Sequence, residues 1–145
     1  MPITSGPHVA LLSTYLFLIP LVVLFLCEVM KTIVASFRTK RFAYEAFFHA
    51  GGFPSSHSAF VTSLLIVVGR KMGVESVEFA ISVVFASIVW YDAFHARREL
   101  GLQAEVLNRL QHWKHFTTQL GHSFKEVVGG IAFGALVTMI GIWMT

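Results

Sequence analysis

The sequence predicts an all-α integral membrane bundle of four transmembrane helices plus one amphipathic helix lying in the interface. Of its 145 residues 55% are hydrophobic and only 13% are charged, far too apolar for a soluble domain. The mean hydropathy of +0.69 agrees. The apolar stretches run unbroken instead of alternating with polar residues, so helices and not barrel strands do the spanning. The length accommodates one domain over residues 1–145. Cys27, the single cysteine, lies inside an apolar stretch and leaves the redox compartment unread. The net charge of +3 comes from 11 Lys and Arg gathered beside apolar stretches. That pattern records membrane orientation and makes nucleic acid a poor partner.

A bilayer core about 30 Å thick requires roughly 20 mostly apolar residues per helix. The first span is expected over 9–35. No cation precedes Lys31, so the stretch lacks the positive region of a secretory signal and is expected to stay as a helix. The second span, 56–69, is the shortest. Pro54 and Ser55 lengthen it, because proline tolerates a first turn and a serine hydroxyl caps free backbone N–H groups. The third span covers 77–94. Over 102–120, Leu102, Val106, Leu110, Trp113 and Leu120 recur at helical spacing while Glu105, Arg109, Gln111, His112 and Lys114 fall elsewhere, which predicts the interfacial helix. The fourth span covers 127–144. No internal repeat or long linker divides the chain.

Threading the chain through these spans brings Lys31 to Arg38, His57, Asp92 to Arg98, and His122 to Glu126 to one membrane face. Both termini and the loop with Arg70 and Lys71 fall on the other. Lys and Arg divide nine to two in favour of the first face, which the positive-inside rule makes cytoplasmic. The termini are then expected on the non-cytoplasmic side.

Charged residues at helix ends ordinarily snorkel to lipid headgroups, and Lys40, Arg41, Lys114 and Lys125 are read that way. The remainder form a pattern. In Gly51-Gly52-Phe53-Pro54-Ser55-Ser56-His57-Ser58, glycines allow a tight turn and Ser55 and Ser56 reach the N–H groups of a new helix, a natural anion site. His57 adds a group that can deliver a proton near neutral pH. His122 and Glu126 are four apart, so a carboxylate can hold one imidazole nitrogen and leave the other free to attack. Lys31, Arg38, Arg97 and Arg98 supply the cations that phosphoryl transfer needs. Asp92 either fixes the Arg97 or Arg98 fork or is a satisfied carboxylate at a helix end. A metal site from His49, His57, His95, Asp92 and His122 is the less favoured reading, since the surrounding cations repel an ion.

In these residues the chain resembles the type-2 phosphatidic acid phosphatase superfamily, and more closely its small divergent branch related to acid phosphatases and vanadium haloperoxidases. Lys31 to Arg38 has the Lys, six residues, Arg spacing of the first motif, without the proline that usually follows. Pro54-Ser55-Ser56-His57 matches the second motif, with Ser56 where glycine is usual. His122 to Gly129 resembles the end of the third, with Glu126 for aspartate. Asp92-Ala93, Arg97-Arg98, Gly101, Gln103-Ala104 and Asn108 resemble the divergent branch in particular. Two features depart from the superfamily. The third-motif arginine, six residues before the histidine, is replaced by Phe116, and four spans stand where six are usual. Arg97 or Arg98 is the expected substitute, and homo-oligomerisation the expected source of the missing packing.

The resemblance implies a metal-independent, cofactor-free lipid phosphatase. Lys31, Arg38, Arg97 or Arg98, Ser55 and Ser56 hold the phosphate. His122, oriented by Glu126, attacks phosphorus, and His57 protonates the departing alkoxide and later activates water. The expected partners are membrane lipids and a lipid phosphate substrate. A cytoplasmic site suits phosphatidate or phosphatidylglycerophosphate, and a polyprenyl diphosphate suits either face. The competing class is a non-enzymatic membrane protein that binds or transports anionic lipid.

Overall fold

The computed structural model describes residues 18–40, 42, 52–118 and 122–144. The described residues are helical with connecting turns and contain no strand. Helix α1 is Leu18–Thr39, α2 is Ser56–Met72 and α3 is Val77–Tyr91. A π-helical turn, Asp92–Ala96, joins α3 to α4, Arg97–Leu110, and α5 is Phe124–Met144. The α3, π-turn and α4 segments run on without a break as one helix of 34 residues. Helix α2 is the centre of the bundle, packed against α1, α3 and α5, and α1 also touches α5.

Among the described residues, three helices are long and apolar enough to cross a membrane: α1, the Val77–Leu110 helix and α5. Their outer surfaces leave Leu21, Val22 and Phe25, then Ile81, Val84 and Ile88, then Leu136, Met139 and Ile140 uncovered by protein. Apolar surface this continuous needs lipid to cover it. Helix α2, with 17 residues, is built differently: Ser58, Ala59, Thr62, Ser63 and Val67 are buried along it. Because it meets protein on three sides, it carries small and hydroxyl side chains where a lipid-facing helix carries large apolar ones.

Those hydroxyls are satisfied inside the bundle. Thr62 Oγ1 donates to the Ser58 carbonyl at 2.6 Å. The Thr138 hydroxyl of α5 lies 2.7 Å from Ser63 Oγ and 2.6 Å from the Gly134 carbonyl. Close approach of α5 depends on Gly130 and Gly134, where a Cβ would run into the carbonyl oxygens of Ser55 and Ala59. Val23, Cys27 and Ala59 form the buried core, with Phe133 and Val137 packed on it.

Element boundaries follow local chemistry. Ser55 caps α2, as the sequence predicts, its Oγ accepting from Ser58 N at 3.4 Å. The helix runs three residues beyond the expected 69 and stops at Gly73, whose φ of 87° belongs to the left-handed region glycine tolerates. Helix α1 continues past residue 35 to Thr39, and the expected portion 9–17 lies outside the described residues. Helix α5 begins at Phe124, three residues before the expected 127.

The separate interfacial helix over 102–120 is corrected. Its first half is the end of the long helix, which stops at Leu110, and residues 111–118 are not helical. Asn108 explains the stop: Nδ2 donates to the Phe116 carbonyl and Phe116 N donates to Oδ1, both at 2.8 Å. That side-chain pairing folds the chain back on α4 in competition with helix continuation. The periodicity had included Trp113, which is exposed, and Leu120, which lies outside the described residues.

Candidate functional site

The buried stripe of α1 is Pro20, Val23, Cys27 and Lys31, a helical spacing that carries the lysine into the bundle with the apolar residues. Lys31 is 5% exposed, and its Nζ lies 2.5 Å from Glu28 Oε2. Its stem passes beneath Gly52, where an added Cβ would sit 3.5 Å from the lysine Cγ and Cδ. Gly52 has a φ of 95°, so glycine lets the backbone turn there against the lysine stem. Arg38 lies two turns further along α1 and is exposed.

The turn then delivers Ser55 and Ser56, both buried, to the start of α2. Ser55 Oγ lies 3.0 Å from Ser58 Oγ, and Ser55 N donates to the Glu126 carbonyl at 3.0 Å. One residue on, His57 opens α2 with an exposed side chain. Among the groups near enough to act on its imidazole are Arg97, His122, Glu28 and Lys31, contributed by three other segments of the bundle.

The π-turn contributes the guanidinium. Its wider winding pairs residues five apart, and Arg97 N donates to the Asp92 carbonyl. The side chains repeat the spacing, Arg97 Nε donating to Asp92 Oδ2 at 2.7 Å. Both are partly covered, whereas Arg98 is exposed. The same turn anchors the next motif, because the Ala93 carbonyl accepts from His122 N at 3.0 Å.

His122 is buried, and its Nδ1 lies 3.2 Å from Glu126 Oε2. The carboxylate also accepts from Ser123 N at 2.9 Å, while Ser123 Oγ accepts from Glu126 N at 3.3 Å. This reciprocal pair is a capping box, and it starts α5. One carboxylate therefore caps a helix and holds an imidazole, with Nε2 on the ring edge away from it.

Two backbone bonds, Ser55 to Glu126 and His122 to Ala93, tie the starts of α2 and α5 to each other and to the π-turn of the long helix. They gather Ser55, Ser56, His57, Asp92, Arg97, His122 and Glu126, and α1 adds Lys31. Arg38, at the end of α1, and Arg98, within the long helix, are exposed, and no described contact joins them to the cluster. The sequence reading passed over Glu28 and Ser123. Their signals were present: a Glu three residues before a Lys on one helix face, and Ser-x-x-Glu ahead of an apolar run. His49 lies outside the described residues, and among those described no three His, Cys, Asp or Glu gather as metal ligands.

The divergent PAP2 family matches residues 12–137. YuiD, an uncharacterised membrane protein of Bacillus subtilis (strain 168), is 31% identical over 150 residues, covering 90% of this chain and 95% of its own. No solved structure matches.

Proposed function

The chain belongs to the divergent PAP2 family and is an integral membrane protein, and from that premise we propose that it hydrolyses lipid phosphate monoesters through a phosphohistidine intermediate. The observation that carries the reading is the His122 Nδ1 to Glu126 contact, tied by the Ser55 to Glu126 backbone bond to the start of α2, where a second imidazole, His57, follows Ser56. An oriented imidazole, a proton donor and two cations on separate helices are the parts that phosphoryl transfer to histidine requires.

The phosphoryl group is held by Lys31, Arg97, Ser55, Ser56 and the free N–H groups of α2, with Arg38 and Arg98 closing over it from the exposed side. Neutral His122 attacks in line through Nε2. The N–P bond forms as the bond to the lipid oxygen breaks, and protonated His57 gives its proton to the departing alkoxide. Water then attacks the phosphohistidine, losing its proton to His57, and phosphate leaves with His122 restored. Arg97 takes the place of the third-motif arginine that Phe116 does not supply, since Arg97 is the arginine fixed by Asp92.

In this reading α2 is a fourth crossing, sheltered by its three neighbours, and the site opens to the cytoplasmic face with phosphatidate or phosphatidylglycerophosphate as substrate. The test is phosphate release in detergent from phosphatidate, phosphatidylglycerophosphate and a polyprenyl diphosphate, with vanadate as inhibitor and His57→Ala and His122→Ala as controls. Release abolished by both substitutions is expected. No release from any substrate would leave a binder or transporter of anionic lipid as the better account.

A further inference from the structure

Helix α5 carries Gly129, Gly130 and Gly134 near its start, although glycine is a poor helix former. The α2 backbone explains two of them: a Cβ at Gly130 or Gly134 would run into the carbonyl oxygens of Ser55 and Ala59. Gly129 faces a side chain instead, and a Cβ there would run into Cε2 and Cζ of Phe53. The ring that needs this notch is 40% exposed, so it adds little to the core. Its place in the chain gives it another task. Phe53 stands two residues before Ser55, whose N–H donates to the Glu126 carbonyl at 3.0 Å, and Gly129 stands three residues after Glu126. The stretch leading into α2 is therefore pinned to α5 at two levels about one turn apart, by a ring and by an amide. On the α1 side Pro54 is fully buried, and its carbonyl lies 3.9 Å from Cys27 Sγ.

We propose that Phe53 is a positioning residue: seated on Gly129, its ring sets the start of α2, which binds the phosphoryl group, against the His122 and Glu126 pair at the start of α5. The proposal rests on the phosphatase reading above and deepens it by naming what fixes the in-line geometry. In that reading the phosphoryl group is held from α2 and attacked from α5, so the reacting distance is a distance between two helix starts. A single hydrogen bond fixes a point and leaves rotation about it free. The ring, one turn further along α5, removes that rotation. Misplacement by about 1 Å is enough to cost on the order of 100-fold in rate. Glu126 is where the two parts meet: its carbonyl receives the Ser55 N–H and its carboxylate holds His122, so a tilt of the stretch bears on both.

The experiment uses the full chain in detergent, with Phe53→Ala, Gly129→Ala and the double variant, on whichever of phosphatidate, phosphatidylglycerophosphate and a polyprenyl diphosphate the parent cleaves fastest. The control is a second glycine and ring, Gly69 of α2 against Phe79 of α3, at the opposite end of α2 from the site. Phe53→Ala and Gly129→Ala should each lower kcat by about 10–100-fold, with KM within roughly threefold of the parent. Gly129→Ala should cost nothing further in the Phe53→Ala background, because the ring it displaces is already gone. Gly69→Ala should lower the melting temperature and leave kcat within about twofold. A kcat near the parent's in Phe53→Ala overturns the proposal, as do losses that multiply in the double variant or a Gly69→Ala loss equal to that of Gly129→Ala. If Gly129→Ala does not fold, Phe53→Ala alone decides. Hydrogen exchange gives a reading without turnover: the Ser55 amide should exchange faster in Phe53→Ala, and unchanged exchange overturns the role of the ring. A parent that cleaves none of the esters defeats the phosphatase reading and leaves exchange to judge Phe53.

Discussion

At residue 126 a single carboxylate serves a helix and an imidazole, and substitution can separate the two duties. Glutamine retains the capping geometry but loses the charge, so Glu126→Gln should cut turnover by about 10–100-fold while the melting temperature hardly moves. Glu126→Ala should lose both, with roughly 1 kcal/mol of stability gone as well. His122→Ala should lower phosphate release by on the order of 10⁴ and His57→Ala by about 10²–10⁴, measured as kcat on the preferred lipid. Activity should be bell-shaped in pH. The step needs one imidazole neutral to attack and the other protonated to serve the alkoxide, so too many protons and too few both stop it. Both limbs belong to the coupled pair and not to either imidazole alone. The His122 and Glu126 contact was legible in the sequence because four residues on a helix return to the same face. The pairing of Glu28 was not, because a Glu near a Lys on an apolar helix reads as an ordinary surface pair until the burial of the lysine is known.

Among the elements, the π-turn decides which arginine the site receives. With Arg97 tied to Asp92 and Arg98 exposed, Arg97→Ala should reduce kcat/KM by about 100-fold and Arg98→Ala by less than roughly tenfold. Equal losses would remove the distinction. No sequence periodicity announces a π-turn, since one extra residue in a winding leaves the apolar pattern before and after it intact. For the same reason the long helix reads as two, an apolar span followed by an amphipathic piece. The non-helical stretch after Leu110 was hidden because Asn108 acts through side-chain bonds to Phe116, a contact across eight residues. The α2 to α5 seam was half legible: small residues were visible on both helices, but their register was not. Gly130→Val should drive a side chain into the Ser55 carbonyl and cost about 1–3 kcal/mol or more, seen as a lower melting temperature in detergent with Gly141→Val as an open-space control.

On the scale of the whole molecule, the apolar character of the composition is expressed, among the described residues, as three helices long and apolar enough to cross a membrane, with α2 wrapped among them. Hydropathy alone undervalues α2, because its serines and threonines are judged against lipid when they in fact meet protein. With α2 as the proposed fourth crossing, residues 57 and 122 share one face, so single cysteines there should react with a membrane-impermeant thiol reagent from the same side of a sealed vesicle. The most direct test of the catalytic account is chemical. Acid-labile, alkali-stable phosphate should be trapped on the protein during turnover of a ³²P-labelled lipid phosphate and should map to the peptide containing His122. Label on any other residue, or steady release of phosphate by a protein that never becomes labelled, would contradict it.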